Sequence, residues 1–159
     1  MDGRDVRSFD LQELREKYGV VFQNDLLFRK SVGENIRIGR SISTQRLLQA
    51  AKDAQALDFV EQAGGLDTPL EARGANLSGG QKQRLLIARA LAGRPEILIL
   101  DDSSSALDYR TDAALRQVIR RDYGDTTTVI IAQRVSSVRA CDRILVLEEG
   151  RMAGFGTHA

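Results

Sequence analysis

Leu77-Ser78-Gly79-Gly80-Gln81-Lys82-Gln83-Arg84 runs straight into Leu85-Leu86-Ile87-Ala88-Arg89-Ala90-Leu91. The order of residues predicts a helix start built to grip a phosphate. Ser78 is a good N-cap, and Gln81, three positions on, completes a capping box by reaching back to the cap amide. Gly79 and Gly80 carry no Cβ, so a ligand can approach their N–H groups closely. Those amides and the positive end of the helix dipole favour an anion. Leu85, Ala88 and Leu91 fall on one helical face, with Leu86 and Ala90 beside them, and Gly93 and Pro95 end the run. Taken alone, a Ser-Gly-Gly reads better as an ordinary capped helix.

The neighbouring stretches decide between these readings. Ile97-Leu98-Ile99-Leu100-Asp101-Asp102 is an apolar strand ending in two carboxylates, Ser105-Ala106-Leu107-Asp108 follows it, and Gln23 closes Tyr18-Gly19-Val20-Val21-Phe22. Together they resemble the ATP-binding-cassette (ABC) ATPases. Leu77–Gln81 is similar to their signature motif, Ile97–Asp102 to Walker B, Ser105–Asp108 to the D-loop, and Gln23 to the Q-loop glutamine. The resemblance covers essentially the whole chain. It implies an α/β fold: an incomplete P-loop NTPase (RecA-like) core with a mostly parallel sheet, plus a helical signature-motif subdomain. The core is expected from 1–23 and 94–159, the helical part from 24–93.

Pattern alone supports the same class. Ile97–Asp101 is apolar on both faces, as in a central parallel strand covered on both sides. The β-branched run Thr126–Ala132 reads as another buried strand. Gln45–Gln62 reads as one amphipathic helix ended by Gly64-Gly65, and Asp108–Tyr123 as a helix with Leu115, Val118 and Ile119 inward. Leu11–Lys17 reads as a short helix, Arg143–Leu147 as a strand with a turn and short return after it, and Asp2-Gly3 as a turn. Strands alternating with helices argue for a layered sheet.

Composition bounds the partners. The 159 residues can bury a real core. A net charge of +1 with 28% charged residues points to neither nucleic acid nor an anionic membrane. One cysteine, Cys141, excludes an internal disulfide and reads as a small buried residue. No apolar run is long enough to cross a bilayer, so membrane association is expected through a partner or a further segment.

Walker A, Gly-x-x-x-x-Gly-Lys-Ser/Thr, occurs nowhere in the 159 residues. Against the family pattern the chain looks truncated before the Q-loop. Asp101 is the expected metal-facing carboxylate, for Mg²⁺ beside ATP phosphates, with Gln23 as a second ligand. Asp102 stands where the family has its catalytic glutamate. It is one methylene shorter, roughly 1.5 Å of reach, and a misplacement of about 1 Å costs on the order of a hundredfold in rate. Gln133, in Val129-Ile130-Ile131-Ala132-Gln133-Arg134, stands where the family has a histidine; an amide donates to phosphate but does not titrate. The two departures together resemble the degenerate nucleotide site of heterodimeric exporters, and the isolated chain is expected to be inactive. His158 lies in a tail similar to that of exporter cassettes and reads as a surface residue.

The resemblance divides the site residues. Gln23, Asp101, Asp102 and Gln133 belong to this chain's own site. Ser78, Gly79, Gly80 and Gln81 serve the site of a second, head-to-tail cassette, and Asp108 bonds across that interface or simply caps a helix. Residues 24–40, with Leu26-Leu27-Phe28, resemble the segment that faces the transmembrane domains. Thr68–Gly74 resembles an exporter loop, with Glu71-Ala72 where a glycine then glutamate is usual. The implied setting is the cytoplasmic face of a membrane exporter, with no nucleic-acid partner. A non-catalytic docking module is the alternative. A DNA-maintenance ABC ATPase is the weaker one, since no sustained heptads separate Gln23 from Leu77.

Overall fold

The computed structural model describes residue 1 and residues 3–158; the Asp2 half of the turn read at Asp2-Gly3 lies outside them. Three strands, β1 (Tyr18–Val21), β2 (Ile97–Asp101) and β3 (Thr127–Ile131), form a parallel sheet in the order β1-β2-β3. Val21 stands opposite Leu100, and Leu100 opposite Ile130. Helix α1 (Leu11–Glu16) precedes β1. The crossover from β1 to β2 carries α2 (Val32–Arg37), α3 (Thr44–Asp53), α4 (Leu57–Gln62) and α5 (Gly79–Ala92). One helix, α6 (Tyr109–Asp122), joins β2 to β3. The short α7 (Val135–Val138) follows β3, and β4 (Ile144–Glu148) and β5 (Arg151–Gly156) close the chain as an antiparallel hairpin. Helical crossovers between parallel strands are the expected α/β arrangement.

Helix α5 is the axis of the core. A stripe of buried residues was expected along it, yet Leu85 to Ala92 are buried at eight consecutive positions. The reason is tertiary: α2, α3 and β1 all pack against this helix. Even Arg89 is buried, its Nε donating to the Asn35 carbonyl at 2.9 Å and its Nη1 lying 3.5 Å from Asp25 Oδ1. Gly19 lets β1 approach this helix. A Cβ there would sit 2.8 Å from the Ala90 carbonyl oxygen and 2.8 Å from Pro95 Cγ.

Four further expectations are corrected. The single helix over Gln45–Gln62 is two, α3 and α4, broken at Gln55, whose φ is 59°. The Gln55 amide donates to the Lys52 carbonyl and the Ala56 amide to the Ala51 carbonyl, which is a Schellman stop made with a non-glycine residue. Nothing in the apolar periodicity marks it. The buried strand expected over Thr126–Ala132 is only half-buried: Val129 is 45% and Ile131 48% exposed. It pairs with β2 alone, and its outer edge has no partner strand among the described residues. Likewise β2 is fully covered on the face of Leu98 and Leu100, while Ile97 and Ile99 are half-buried. Cys141 is half-buried too.

The final hairpin is local chemistry. Glu148 pairs with Arg151, so Glu149 and Gly150 form a two-residue loop, at φ 48° and 74°. Positive φ at both positions gives the mirror-image turn that matches strand twist.

Candidate functional site

The carboxyl ends of the three parallel strands lie side by side, where open α/β sheets bind ligands. Gln23 is two residues past β1, Asp101 ends β2, Asp102 follows it, and Gln133 lies two residues past β3. Asp102 takes a left-handed conformation at φ 46°, with its amide donating to the Ile131 carbonyl at 2.9 Å. Its Oδ2 accepts a long hydrogen bond from Gln23 Nε2 at 3.4 Å. Gln23 and Asp102 are thus brought together across 79 residues of sequence. Gln133 is exposed at the same edge and makes no hydrogen bond to either. His158 is exposed in the tail.

Among the described residues no three His, Cys, Asp or Glu side chains converge as a metal cage. Mg²⁺ bound to substrate phosphates needs only one or two protein oxygens, the rest being water and phosphate. The half-buried Asp101 carboxylate and the Gln23 amide oxygen, left over by its bond to Asp102, fit that limited demand.

The second group sits at the head of α5. Ser78 is its N-cap, and both halves of the capping box are formed. Gln81 N–H donates to Ser78 Oγ at 3.2 Å, and Ser78 N–H to Gln81 Oε1 at 2.9 Å. The N1 and N2 amides of Gly79 and Gly80 lie outside both the box and the helical ladder, so they are the donors open to an anion. The two glycines are not equivalent. A Cβ on Gly80 would lie 3.2 Å from the Ala106 carbonyl oxygen, whereas one on Gly79 would meet only Ala106 Cβ at 3.9 Å. Gly80 is small to admit this chain's own 103–108 loop; Gly79 leaves room for something else. Arg84 braces the helix start, donating to the Gly80 carbonyl at 3.3 Å and the Gln55 carbonyl at 2.6 Å, with its guanidinium 4.7 Å over the Phe59 ring.

Asp108 is the N-cap of α6. Its Oδ1 accepts from the Thr111 amide at 2.9 Å and its Oδ2 from the Thr111 hydroxyl at 2.7 Å. These bonds, the backbone one first, hold its carboxyl below the usual carboxylate range.

Sequence reasoning missed Arg134, next to Gln133. Its guanidinium donates to the carbonyls of Ser104, Ser105 and Leu107 and lies 5.2 Å over the Tyr109 ring. It missed as well the buried polar cluster of Ser104, Ser137 and Asp112 beneath that loop. The only signal for either was an arginine immediately after a candidate site residue.

Comparison with known proteins agrees with this fold. The family model described as ABC transporter matches residues 1–105. The chain is 46% identical over 158 residues to the beta-(1→2)glucan export ATP-binding/permease protein of Bradyrhizobium diazoefficiens, covering 99% of this chain and 26% of that protein. It is 44% identical to the ATP-dependent lipid A-core flippase of Albidiferax ferrireducens, covering 100% of this chain and 28% of the relative. A solved bacterial Atm1-family ABC exporter with ATP bound superposes with a TM-score of 0.90 at 40% identity, over 99% of this chain and 28% of that one. The chain therefore spans about a quarter of the length of the proteins it matches.

Proposed function

Because the chain belongs to the ABC transporter family, we propose that it is the ATP-binding portion of an exporter whose signature motif completes the ATP site of a partner cassette. The observation that carries this reading is the closed Ser78–Gln81 capping box, which leaves the Gly79 and Gly80 amides pointing out of a helix N-terminus. In this arrangement Ser78, Gly79, Gly80 and Gln81 contact a triphosphate held mainly by the other chain, and Asp108 lies along the shared interface. The carboxyl edge of the sheet forms the chain's own half-site. There Asp101 and Gln23 would hold Mg²⁺ beside the phosphates, and Gln133 would donate a hydrogen bond to a phosphate oxygen. ATP and its Mg²⁺ supply the transferable phosphoryl group and the counter-charge; this chain orients them.

The own half-site is slow. Asp102 is short of the reach of a glutamate and is already engaged by Gln23, so it is a poor base for a water. Gln133 neither takes up nor releases a proton. The glycine-rich cradle and lysine that grip β- and γ-phosphates are not among these 159 residues, so they alone bind ATP weakly. The pairing is of a degenerate with a working cassette, residues 1–23 and 94–159 acting as core and 24–93 as the signature-bearing subdomain. No helix among the described residues is long and apolar enough to cross a membrane. The chain sits at the cytoplasmic face, with residues 24–40 against the transmembrane domains.

In the assembled transporter, Ser78→Arg is expected to abolish most ATP hydrolysis and export, because a guanidinium replaces the cap at the partner's γ-phosphate. Unchanged turnover would sink the proposal and favour a docking module. Asp102→Glu combined with Gln133→His should raise turnover at the chain's own site. No gain in a partner-inactivated background counts against degeneracy.

A further inference from the structure

We propose that Arg134 is a positioning residue: it fastens the 103–108 loop to the segment after β3, and through Ala106 sets the head of α5. The functional consequence rests on the reading above, in which Gly79 and Gly80 face a partner's nucleotide. Arg134 Nη1 donates to the carbonyls of Ser104 at 3.4 Å and Leu107 at 3.2 Å, and Nη2 to that of Ser105 at 3.0 Å. Three carbonyls of one short loop thus converge on a single planar guanidinium, a geometry that lysine cannot reproduce. The Tyr109 ring covers the guanidinium at 5.2 Å.

A second tie lies underneath. Ser137 Oγ donates to Asp112 Oδ2 at 3.4 Å, leaving Ser104 Oγ to donate to Ser137 Oγ at 3.3 Å. Asp112 is 2% exposed and is balanced by Arg116 Nη2 at 3.0 Å. Arg116 Nη1 in turn donates to the Ser136 carbonyl at 2.7 Å. The loop after β2 and the segment after β3 are consequently one polar unit.

That unit touches the signature end of α5 through the Ala106 carbonyl, which lies where a Cβ on Gly80 would come within 3.2 Å. Gln133 is adjacent to Arg134 in the chain. A shift of the backbone at Gln133, in this chain's own half-site, therefore carries the loop with it and moves the amides offered to the partner. Arg134 touches no reacting atom in this scheme; it acts through the loop.

The test is amide hydrogen exchange on the full chain bearing Arg134→Ala or Arg134→Lys. The Ser105 and Leu107 amides bond within the loop, and the Ser78 and Gln81 amides form the capping box. Both pairs should exchange about tenfold faster or more in both variants, while the Ala54 amide at the end of α3 stays unchanged. Unchanged exchange at Ser105 and Leu107 overturns the clamp. Faster exchange there with Ser78 and Gln81 unmoved overturns the transmission to α5. If Arg134→Ala loosens α3 as well, the Arg134→Lys chain decides, since it keeps the charge over Tyr109 and loses only the fork. In the assembled transporter, Arg134→Lys should lower kcat for ATP with KM held within about twofold. A rise in KM with kcat intact refutes positioning. A transporter with no ATP turnover of any kind would sink the proposed function, and the exchange result would still judge Arg134.

Discussion

Asp102 and the two packed glycines show how much a single position can be asked to do. At φ 46° Asp102 occupies a region that short polar side chains tolerate better than β-branched ones. Asp102→Val is expected to cost about 1–2 kcal/mol of folding stability, read as a lower urea midpoint at constant slope, with Asp102→Asn close to neutral. Gly19 and Gly80 differ in what their missing Cβ spares. At Gly19 the obstacle is the Ala90 carbonyl and the Pro95 ring at 2.8 Å, both fixed in the core, so Gly19→Ala should destabilise by about 1–3 kcal/mol. At Gly80 the obstacle is a loop carbonyl at 3.2 Å, and a gain in helix propensity of about 1 kcal/mol offsets the contact. Gly80→Ala should therefore leave the urea midpoint almost unmoved while displacing the loop.

At the scale of elements, α3 and α6 are joined by a buried polar knot. The Tyr123 hydroxyl donates to Asp53 Oδ2 at 2.6 Å and accepts from Arg46 Nη2 at 2.8 Å. Gln49 adds a bond to Asp53 at 2.7 Å, and Arg46 also serves the carbonyls of Leu91 and Ala92 at the end of α5. Burial first, and the bond to Asp53 second, push the Tyr123 phenol up from 10.0 to about 12. The sign follows from linkage: a group raised in the folded state contributes stability that is intact below pH 10 and is lost as pH climbs towards 12. The loss attributable to Tyr123 is of the order of 2 kcal/mol. Thermal unfolding of wild type and Tyr123→Phe across pH 9 to 12 measures it. The variant should be the less stable at pH 9, with a shallower decline above pH 10. Parallel curves would mean that Tyr123 does not carry the effect.

At the scale of the molecule, one face and one edge are left open. Val129 and Ile131 are exposed on a strand that, among the described residues, is paired on one side only, and the β4–β5 hairpin exposes Leu147, Met152 and Phe155. A paired-on-one-side apolar strand is a template for self-association. Val129→Lys should reduce concentration-dependent self-association of the 159-residue chain, followed by sedimentation velocity, with stability changed by about 0.5 kcal/mol or less. Equal association by wild type and variant would exonerate the β3 edge.

What the sequence determined by itself was whatever is written in neighbouring residues. The Ser78–Gln81 box, the Asp108 cap, the span of α6 and the terminal turn all depend on residues a few positions apart, and each formed as its local chemistry required. The same locality marked Gln23, Asp101, Asp102 and Gln133 as strand-end residues. Tertiary structure alone decided the rest. The break at Gln55, the all-round burial of α5 and the half-bare β3 depend on what packs where, which periodicity does not encode. The Arg134 clamp and the Tyr123–Asp53 bond join groups about thirty and 70 residues apart. A hydrogen-bonding side chain names its chemistry in the sequence, but its partner is chosen only when the fold brings a carbonyl or carboxylate within about 3 Å.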